Sequence, residues 1–156
     1  KRRLLVFINP SMDPLGAGYT IIQSKIAIGS GGLFGRGWMG GTQNQLNFLP
    51  ESHTDFIFAV VGEEWGFFGS VVLLVLYFLL IKRILLIVDT TENVYGKLLT
   101  TGVATMLFLQ VVINIGMTIG IFPVVGITLP LISYGGSSLL TTFIGIALVL
   151  SVKQLR

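Results

Sequence analysis

The chain has 156 residues, of which 53% are hydrophobic and 11% are charged, and its formal net charge is +3. The mean hydropathy of +0.86 is too high for an ordinary water-soluble domain and indicates a protein that folds in a lipid bilayer. Cysteine is absent, so disulfides and thiolate metal sites are excluded from these residues. The sequence starts at Lys1 and its opening apolar stretch is too short for a signal peptide, so we expect a fragment of a longer protein.

Residues 9–55 form a long polar loop before the first expected membrane span. A loop of this length without internal structure is unusual, so we expect it to be folded and functional. Apolar residues recur within it at helical spacing, at Tyr19, Ile22 and Ile26. This predicts a short amphipathic helix over 19–28 at the outer membrane interface, with Gln23 and Lys25 toward water. Packing within the loop explains the pattern equally well.

The segment 29–41 is rich in glycine, which requires special backbone geometry or the close approach of a ligand. Residues 35–40 match the pattern GxGxxG, but they follow no predicted strand, open no predicted helix and have no acidic partner about 20 residues further on. We therefore exclude a dinucleotide site. The P-loop motif is absent, and His53 is the only histidine, which excludes a HExxH zinc site because that motif needs two histidines.

Three membrane-spanning helices are expected, over about 56–81, 98–121 and 137–152. Lys82 and Arg83 mark the end of the first. Residues 98–152 contain no Asp, Glu, Lys, Arg or His, and this stretch is far longer than the ~20 residues that one span needs. The third span begins either at 137 or further back, with 128–136 entering the membrane as non-helical backbone that protein or a wet cavity must cover.

The predicted fold class is therefore an all-α polytopic membrane protein. Residues 1–55 are expected to hold the end of a preceding helix region and the long loop with its short interfacial helix, and residues 56–156 are expected to form the membrane domain. Basic residues gather at one end of the three predicted spans, at Lys82, Arg83, Lys97, Lys153 and Arg156. Because short cytoplasmic loops are enriched in Lys and Arg, residues 82–97 and the C-terminus are expected in the cytoplasm. The loop 9–55 and the connection 123–133 are then expected outside.

Carboxylates cluster where the long loop meets the first span, at Glu51, Asp55, Glu63 and Glu64. On local sequence alone, Asp55 is better explained as the N-cap of a helix that begins at Phe56, assisted by Thr54, than as a catalytic group. In that helix Glu63 lies within about 80° of the direction of Asp55 and roughly 12 Å deeper in the membrane. Ionisable groups at such depth are candidates for function.

Polar side chains line one face of the second span, at Gln110, Asn114 and Thr118. Hydrogen bonding between helices explains this stripe better than a substrate groove does. Two glycine pairs, Gly62 with Gly66 and Gly116 with Gly120, have the small-xxx-small spacing that is typical of close helix packing. In residues 130–138 a proline, hydroxyls and backbone amides form either a plain turn or a contact for a polar head group.

Three stretches resemble one known family, namely GAGYTIIQSKIAIGSGGLFGRGW at 16–38, GTQNQLNFLPESHTDFIFAVVGEEWG at 41–66 and GITLPLISYGGSS at 126–138. They are similar to the C-terminal half of the SEDS family, and the resemblance covers essentially the whole chain. The stretch at 41–50 resembles the rod-elongation branch, because the division branch usually has a different sequence there.

The resemblance implies a glycosyltransferase that polymerises lipid II into peptidoglycan strands for cell elongation and rod shape. It implies a fold of ten helices in the bacterial cell (inner) membrane, to which these residues contribute a large extracellular loop and helices eight to ten, inactive by themselves. The family's catalytic aspartate lies in an HTDFIF-type motif, which stands here at 53–58 and puts that role on Asp55. Asp55 is then the expected general base of an inverting transfer, in place of a helix cap.

The remaining candidate substrate-binding residues are polar side chains expected near the same outer face: Lys25, Arg36, Gln45, Glu51, His53, Glu63, Ser133 and Ser137. The leaving pyrophosphate requires positive charge, from the glycine-rich backbone with Lys25 and Arg36 or from a divalent cation such as Mg²⁺; no other cofactor is expected. The implied partners are a class B penicillin-binding protein transpeptidase and other membrane proteins of the elongation complex, and no nucleic acid is expected.

Two other functions stay open from the sequence. A lipid II flippase needs a polar path through the bilayer, for which the candidates are Glu63, Gln110, Asn114 and Thr118. A non-catalytic scaffold of the elongation or division machinery would leave Asp55 as a helix cap. In that case Asp55→Asn preserves cell shape, because Asn caps a helix as well as Asp does.

Overall fold

The computed structural model of the chain describes residues 17–37, 40 and 54–154. Within them the chain forms four helices, α1 (Ala17–Gly31), α2 (Ile57–Thr90), α3 (Val94–Ile119) and α4 (Gly136–Gln154). The last three are each long and apolar enough to cross a membrane. The prediction of an all-α membrane fold with three spans is therefore confirmed for the described part of the chain.

Helix α1 packs against the membrane helices through a different face from the apolar stripe seen in the sequence. Ile21, Ser24 and Ala27 are buried, whereas Ile22 and Ile26 are exposed. Ser24 and Ala27 are small, so this face allows α1 to approach its neighbours closely. Ile22 and Ile26 point away from the protein, and their expected place at the membrane interface stays a prediction.

Helix α2 continues past Lys82 and Arg83, where the first span was expected to end. Both cations are exposed on the side of the helix, and long basic side chains reach polar surroundings without interrupting the backbone. The next helix begins with a side-chain cap. Asn93 accepts a hydrogen bond of 2.9 Å from the main-chain N–H of Tyr95.

Helix α2 is not one straight rod. Gly66 has φ 67° and ψ −160°, outside the helical region. In a straight helix Phe58 and Tyr77 would lie roughly 28 Å apart along the axis. Both nevertheless belong to one buried cluster with Val111 and Leu129, so the chain reverses direction at Gly66. The reversal divides α2 into a short arm and a long arm, residues 57–65 and 67–90.

The long arm of α2 runs antiparallel to α3. Ile84, late in the long arm, packs in one cluster with Leu107 of α3. Phe67, at the start of the long arm, lines a cavity together with Ile119 at the end of α3. At 1.5 Å per residue the long arm extends about 36 Å, which is enough to cross a bilayer by itself.

The short arm of α2 runs toward the C-terminal end of α3. It starts beside Asn114, whose side chain binds the main-chain carbonyl of Asp55. It approaches the end of α3 at Gly62, which lines one cavity with Ile119. Glu63 therefore lies closer to the end of α3 than Asp55 does. The prediction that Glu63 lies deeper in the membrane than Asp55 assumed a continuous helix, and the reversal at Gly66 changes that order.

The glycine loop, residues 32–37, supplies hydrogen bonds to both helix ends at this reversal. The main-chain N–H groups of Arg36 and Gly37 each donate over 3.0 Å to the last carbonyls of the short arm, those of Glu63 and Glu64. The first amides of the long arm, on Phe67 and Phe68, donate to the carbonyls of Gly32 and Leu33 over 2.9 and 3.1 Å. These groups have no partner within a helix, so the loop satisfies polar backbone that would otherwise be buried unpaired.

Close backbone approach explains the glycines at this contact. A Cβ atom on Gly35 would lie 2.1 Å from the carbonyl oxygen of Glu64, and one on Gly66 would lie 2.3 Å from the nitrogen of Gly35. A Cβ on Gly31 would lie 1.9 Å from the carbonyl oxygen of Gly62. Of the two explanations open from the sequence, special backbone geometry therefore accounts for these positions without a ligand.

The connection between α3 and α4, residues 120–135, re-enters the helix bundle and is called the re-entrant connection below. The hydroxyl of Tyr77, in the long arm of α2, donates to the carbonyl oxygen of Pro130. Leu129 and Pro130 are fully buried. Non-helical backbone in this region was expected only where protein covers it, and the structure shows that cover.

The small-xxx-small pairs mark close helix packing at Gly62 but serve other purposes at Gly116 and Gly120. Gly62 lies against Ile28 of α1. Gly116 makes room for the ring of Phe122, since a Cβ there would lie 2.3 Å from a ring carbon. Gly120 ends α3 in a left-handed conformation with φ 80°. The prediction of close helix packing is therefore correct for Gly62, whereas Gly116 contacts the connection that follows its own helix.

Candidate active site

Asp55 lies in the turn formed by residues 54–56, directly before the short arm of α2. The side chain is partly buried, and one carboxylate oxygen, Oδ2, lies 3.3 Å from the position that a Cβ on Gly126 would take. Helix α2 begins one residue later than predicted, with Phe56 at the N-cap position and no side-chain hydrogen bond to that cap. Asp55 therefore does not occupy the N-cap position that local sequence had favoured.

Asn114 of α3 joins the Asp55 turn to the re-entrant connection. Its side-chain Nδ2 donates to the carbonyl oxygen of Asp55 over 2.9 Å and to that of Ile127 over 2.7 Å. Asn114 is fully buried. One amide group thus holds together three segments that are distant in sequence.

Ser133 makes a second link between the same two segments. Its hydroxyl donates to the carbonyl oxygen of Thr54 over 2.6 Å and accepts from the main-chain N–H of Leu129 over 2.7 Å. Ser133 is only 4% exposed. Of the two interpretations of this region, a structural turn or a head-group contact, the hydrogen bonds of Ser133 favour the turn.

Within the described residues, the side chains of the polar stripe on α3 do not make the bonds to another helix that were favoured for them: Asn114 binds two non-helical segments, and Gln110 Oε1 is buried without a hydrogen-bond partner there. The hydroxyl of Thr118 donates to the carbonyl oxygen of Asn114 over 2.7 Å. Ser24 of α1 donates to the carbonyl oxygen of Thr118 over 2.8 Å. A continuous set of hydrogen bonds therefore leads from α1 through α3 to the Asp55 turn.

The two candidate cations lie at helix C-termini. The side chain of Lys25 crosses the end of α3, where its Nζ is 2.7 Å from the place a Cβ on Gly120 would take. The Nε of Arg36 donates to the carbonyl oxygen of Ser30, near the end of α1, over 3.2 Å. Positive charge is favoured at both places, because unpaired carbonyls give a helix C-terminus partial negative charge.

The remaining candidate substrate-binding residues lie in other parts of the chain. Glu63 is fully buried, and it lies in the short arm about 12 Å along the helix from Asp55. Ser137 is exposed in the first turn of α4, where its carbonyl oxygen accepts from Thr141. Three further candidates lie outside the described residues: Gln45, Glu51 and His53.

An apolar cavity of about 620 Å³ opens beside the Asp55 turn. Its walls come from Ile57 at the start of α2, from the re-entrant connection around Ile132, and from Leu139 of α4. Ser133 also lines it, and this residue is bound to the turn through Thr54. The turn that carries Asp55 therefore lies beside a space that suits an apolar chain.

A divalent cation would need additional ligands. Within residues 17–37, 40 and 54–154, no three His, Asp or Glu side chains come together. Mg²⁺ prefers an octahedral set of oxygen ligands and keeps several waters when few carboxylates are present. These side chains alone do not form a protein cage for it, and no chemical step is derived through a metal.

The whole sequence matches the sequence model of the FTSW_RODA_SPOVE family, described as a cell cycle protein, over residues 1–156. The chain belongs to this family. It is 55% identical over 156 residues to the peptidoglycan glycosyltransferase MrdB of Escherichia coli K12, covering all of this chain and 42% of that protein. It is 51% identical over 151 residues to the peptidoglycan glycosyltransferase RodA of Treponema pallidum, covering 97% of this chain and 35% of that protein.

Solved structures of the FTSW_RODA_SPOVE family agree with the fold. A chain of a peptidoglycan synthase complex, studied for its coordination of polymerization and crosslinking, superposes with a TM-score of 0.78 at 46% identity. That comparison covers 99% of this chain and 41% of the other. RodA of Thermus thermophilus superposes with a TM-score of 0.65 at 34% identity, covering 99% of this chain and 56% of that one. The resemblance inferred from the sequence motifs is confirmed, and the protein is a multi-pass bacterial membrane protein.

Sequence reasoning missed two residues of this family member's site. Asn114 was assigned to a polar stripe, although an amide side chain in an apolar helix is a sign of a specific buried partner. Gly126 was not singled out within the motif at 126–138, yet it has φ 80° and lies against Asp55. No pattern in the sequence relates either residue to Asp55, which is far from both along the chain.

Proposed function

We propose that the protein to which this chain belongs is a peptidoglycan glycosyltransferase that polymerises lipid II into glycan strands, with Asp55 as the general base. The observation that carries the proposal is the placement of Asp55. Its turn is tied to the re-entrant connection by Asn114 and Ser133, and it adjoins an apolar cavity. The curated relatives with 55% and 51% identity are named peptidoglycan glycosyltransferases, which supports the same reaction here.

The proposed chemistry needs one carboxylate at the reacting hydroxyl. The 4-hydroxyl of the acceptor sugar attacks the anomeric carbon of the donor, and the bond from that carbon to the pyrophosphate oxygen breaks. Asp55 takes the proton of the hydroxyl as the new glycosidic bond forms. The polyprenyl pyrophosphate leaves with the bonding electrons. An α-linked donor gives a β-linked product by a single inversion, so no covalent sugar–enzyme intermediate is required.

The apolar cavity beside the turn suits the lipid part of the substrate. Polyprenyl chains are apolar, and burial of apolar surface stabilises their binding by about 25 cal/mol per Å². A chain that lies against Ile57 and Leu139 would bring its polar head toward the Asp55 turn. Lys25, Arg36 and a divalent cation such as Mg²⁺ are the proposed counter-charges for the pyrophosphate.

We also assign the protein to the bacterial inner membrane, with the Asp55 turn on the outer side and residues 82–97 and the C-terminus in the cytoplasm. Basic residues in the last third of α2, in the first turn of α3 and at the end of α4 support this orientation. A class B penicillin-binding protein transpeptidase is the proposed partner, together with other membrane proteins of the elongation complex. The solved complex, which coordinates polymerization with crosslinking, supports a partner of this kind.

The test is glycan-strand formation from lipid II by the full-length protein with its transpeptidase partner. Wild type is compared with Asp55→Asn and with the control Asp89→Asn, which changes an exposed aspartate at the far end of α2. We expect Asp55→Asn to abolish polymer formation while assembly with the partner is intact, because an amide does not accept the proton. Asp89→Asn should retain wild-type polymer formation.

The other possible results of this experiment distinguish between the alternative functions. Polymer formation by Asp55→Asn at the wild-type rate would remove the general-base role and leave Asp55 with a structural one. An absence of polymer with wild type would favour the flippase or the scaffold. The structure gives the flippase no added support, since Asn114 and Thr118 are buried and hydrogen-bonded to main-chain groups.

A further inference from the structure

The side chain of Asn114 makes two hydrogen bonds to main-chain groups, and together they fix the position of Asp55 relative to the re-entrant connection. Both hydrogen bonds from its Nδ2 go to carbonyl oxygens outside α3, on Asp55 and Ile127. We infer that Asn114 is a positioning residue, which sets the distance between the Asp55 carboxylate and the re-entrant connection during catalysis. This inference rests on the proposed function.

The burial of Asn114 gives these hydrogen bonds their importance. Asn114 is 0% exposed and its neighbours are the backbone of two non-helical segments. Loss of a donor to a carbonyl that is shielded from water costs about 1–3 kcal/mol, and Asn114 donates to two such carbonyls. An apolar side chain of the same size would donate to neither carbonyl.

The two bonded carbonyls belong to the two sides of the Asp55 site. One is the carbonyl of Asp55 itself. The other is that of Ile127, directly after Gly126, and Gly126 is the residue that the Asp55 carboxylate adjoins. Moving the amide of Asn114 would therefore shift the base relative to the wall it lies against. Catalytic groups must be held to within about 0.5 Å of their productive positions.

Asn114 is itself held in place from the other side. Its carbonyl oxygen accepts from Thr118, and the carbonyl oxygen of Thr118 accepts from Ser24 of α1. Its backbone is therefore fixed by α3 and α1, which makes it a rigid support for the turn. A support of this kind acts on the chemical step without touching the substrate.

The experiment measures kcat and KM for lipid II polymerisation by the full-length protein with its partner, in Asn114→Leu and Asn114→Ser. Thr100→Val is the matched control, because Thr100 is also fully buried on α3 but lies far from the Asp55 turn. We expect kcat of Asn114→Leu to fall roughly 10- to 100-fold, as misplacement of a catalytic group by about 1 Å does, with KM changed by less than about two-fold. Asn114→Ser keeps one donor and should fall less.

Thermal midpoints are measured for every variant, to separate positioning from folding. A kcat that falls while the midpoint stays within the range of Thr100→Val supports the inference. A wild-type kcat in both Asn114 variants would overturn it, as would a loss of rate that follows the loss of thermal stability in both. A wild-type protein that forms no polymer contradicts the proposed function, whereas an active wild type with active Asn114 variants contradicts only this inference.

Discussion

At the scale of single residues, the Asp55 carboxylate is confined by a glycine. Gly126 has φ 80°, a conformation that L residues rarely adopt, and a Cβ there would lie 3.3 Å from Oδ2 of Asp55. That distance is tighter than an ordinary van der Waals contact, so a methyl group would displace the carboxylate or the connection. Gly126 therefore serves both the backbone turn and the space beside the base.

Gly126→Ala should reduce polymer formation about 10-fold or more, because the added methyl group pushes on the Asp55 carboxylate. The left-handed backbone adds about 1–2 kcal/mol of strain to the folded state. Turnover of lipid II by the full-length protein and its thermal midpoint are the measurements. Gly102→Ala is the control: its Cβ would meet no atom within 4 Å, and Ala is favoured over Gly inside a helix. Equal activity in the two variants would contradict the contact at Gly126.

At the scale of secondary-structure elements, the glycine loop and the reversal of α2 form one unit. The loop bonds to the carbonyls at the end of the short arm and to the amides at the start of the long arm. Gly35 lies at the centre of this contact, beside Glu64 and Gly66. The short arm carries the Asp55 turn, so the loop also supports the site from a distance.

Gly35→Ala should destabilise the protein strongly, because its Cβ would lie 2.1 Å from the carbonyl oxygen of Glu64. Gly32→Ala is the matched control. Gly32 also has a positive φ, of 56°, but a Cβ there meets no atom within 4 Å, so only about 1–2 kcal/mol of backbone strain is expected. The thermal midpoints of the two purified variants distinguish a close backbone contact from backbone strain alone. Similar midpoints would show that φ alone, and not backbone approach, requires glycine at 35.

Some of the helices were predicted correctly from the sequence and others were not. The same physical reason explains both results. Apolar runs longer than ~20 residues identified the spans, because a bilayer imposes that length on any helix that crosses it. The reversal at Gly66 was missed, since the apolar pattern is the same whether the helix continues or turns back. The end of α2 was placed too early, because Lys82 and Arg83 were taken as a boundary although they are exposed on the helix side.

At the scale of the whole molecule, the chain is part of a larger assembly of helices. It spans 42% of the length of Escherichia coli MrdB and 35% of that of Treponema pallidum RodA. Many large apolar side chains on the long arm of α2 and on α4 are exposed, including Phe78 and Phe143. Lipid or the rest of the protein would cover such surface in a membrane.

The proposed orientation is testable by labelling single cysteines, since this chain contains none of its own. In a cysteine-free full-length protein, Phe34→Cys in the glycine loop should react with a membrane-impermeant maleimide from outside the cell membrane. Glu92→Cys, between α2 and α3, should react only after the membrane is opened. Both residues are exposed, so access depends on the side of the membrane. The reverse pattern would invert the topology.

The sequence by itself determined the class of the protein, the number of spans in the described part and the family. Those properties follow from hydrophobic length and from long motifs, both of which are local in the chain. Only the tertiary structure decided how Asp55 is placed, because Asn114, Gly126 and Ser133 reach it from 59 or more residues away. The tertiary structure also showed that the glycine loop bonds to the backbone on both sides of the reversal in α2. Contacts between distant backbone groups depend on which helices meet, and periodicity in the sequence shows a buried face but not the segment that covers it.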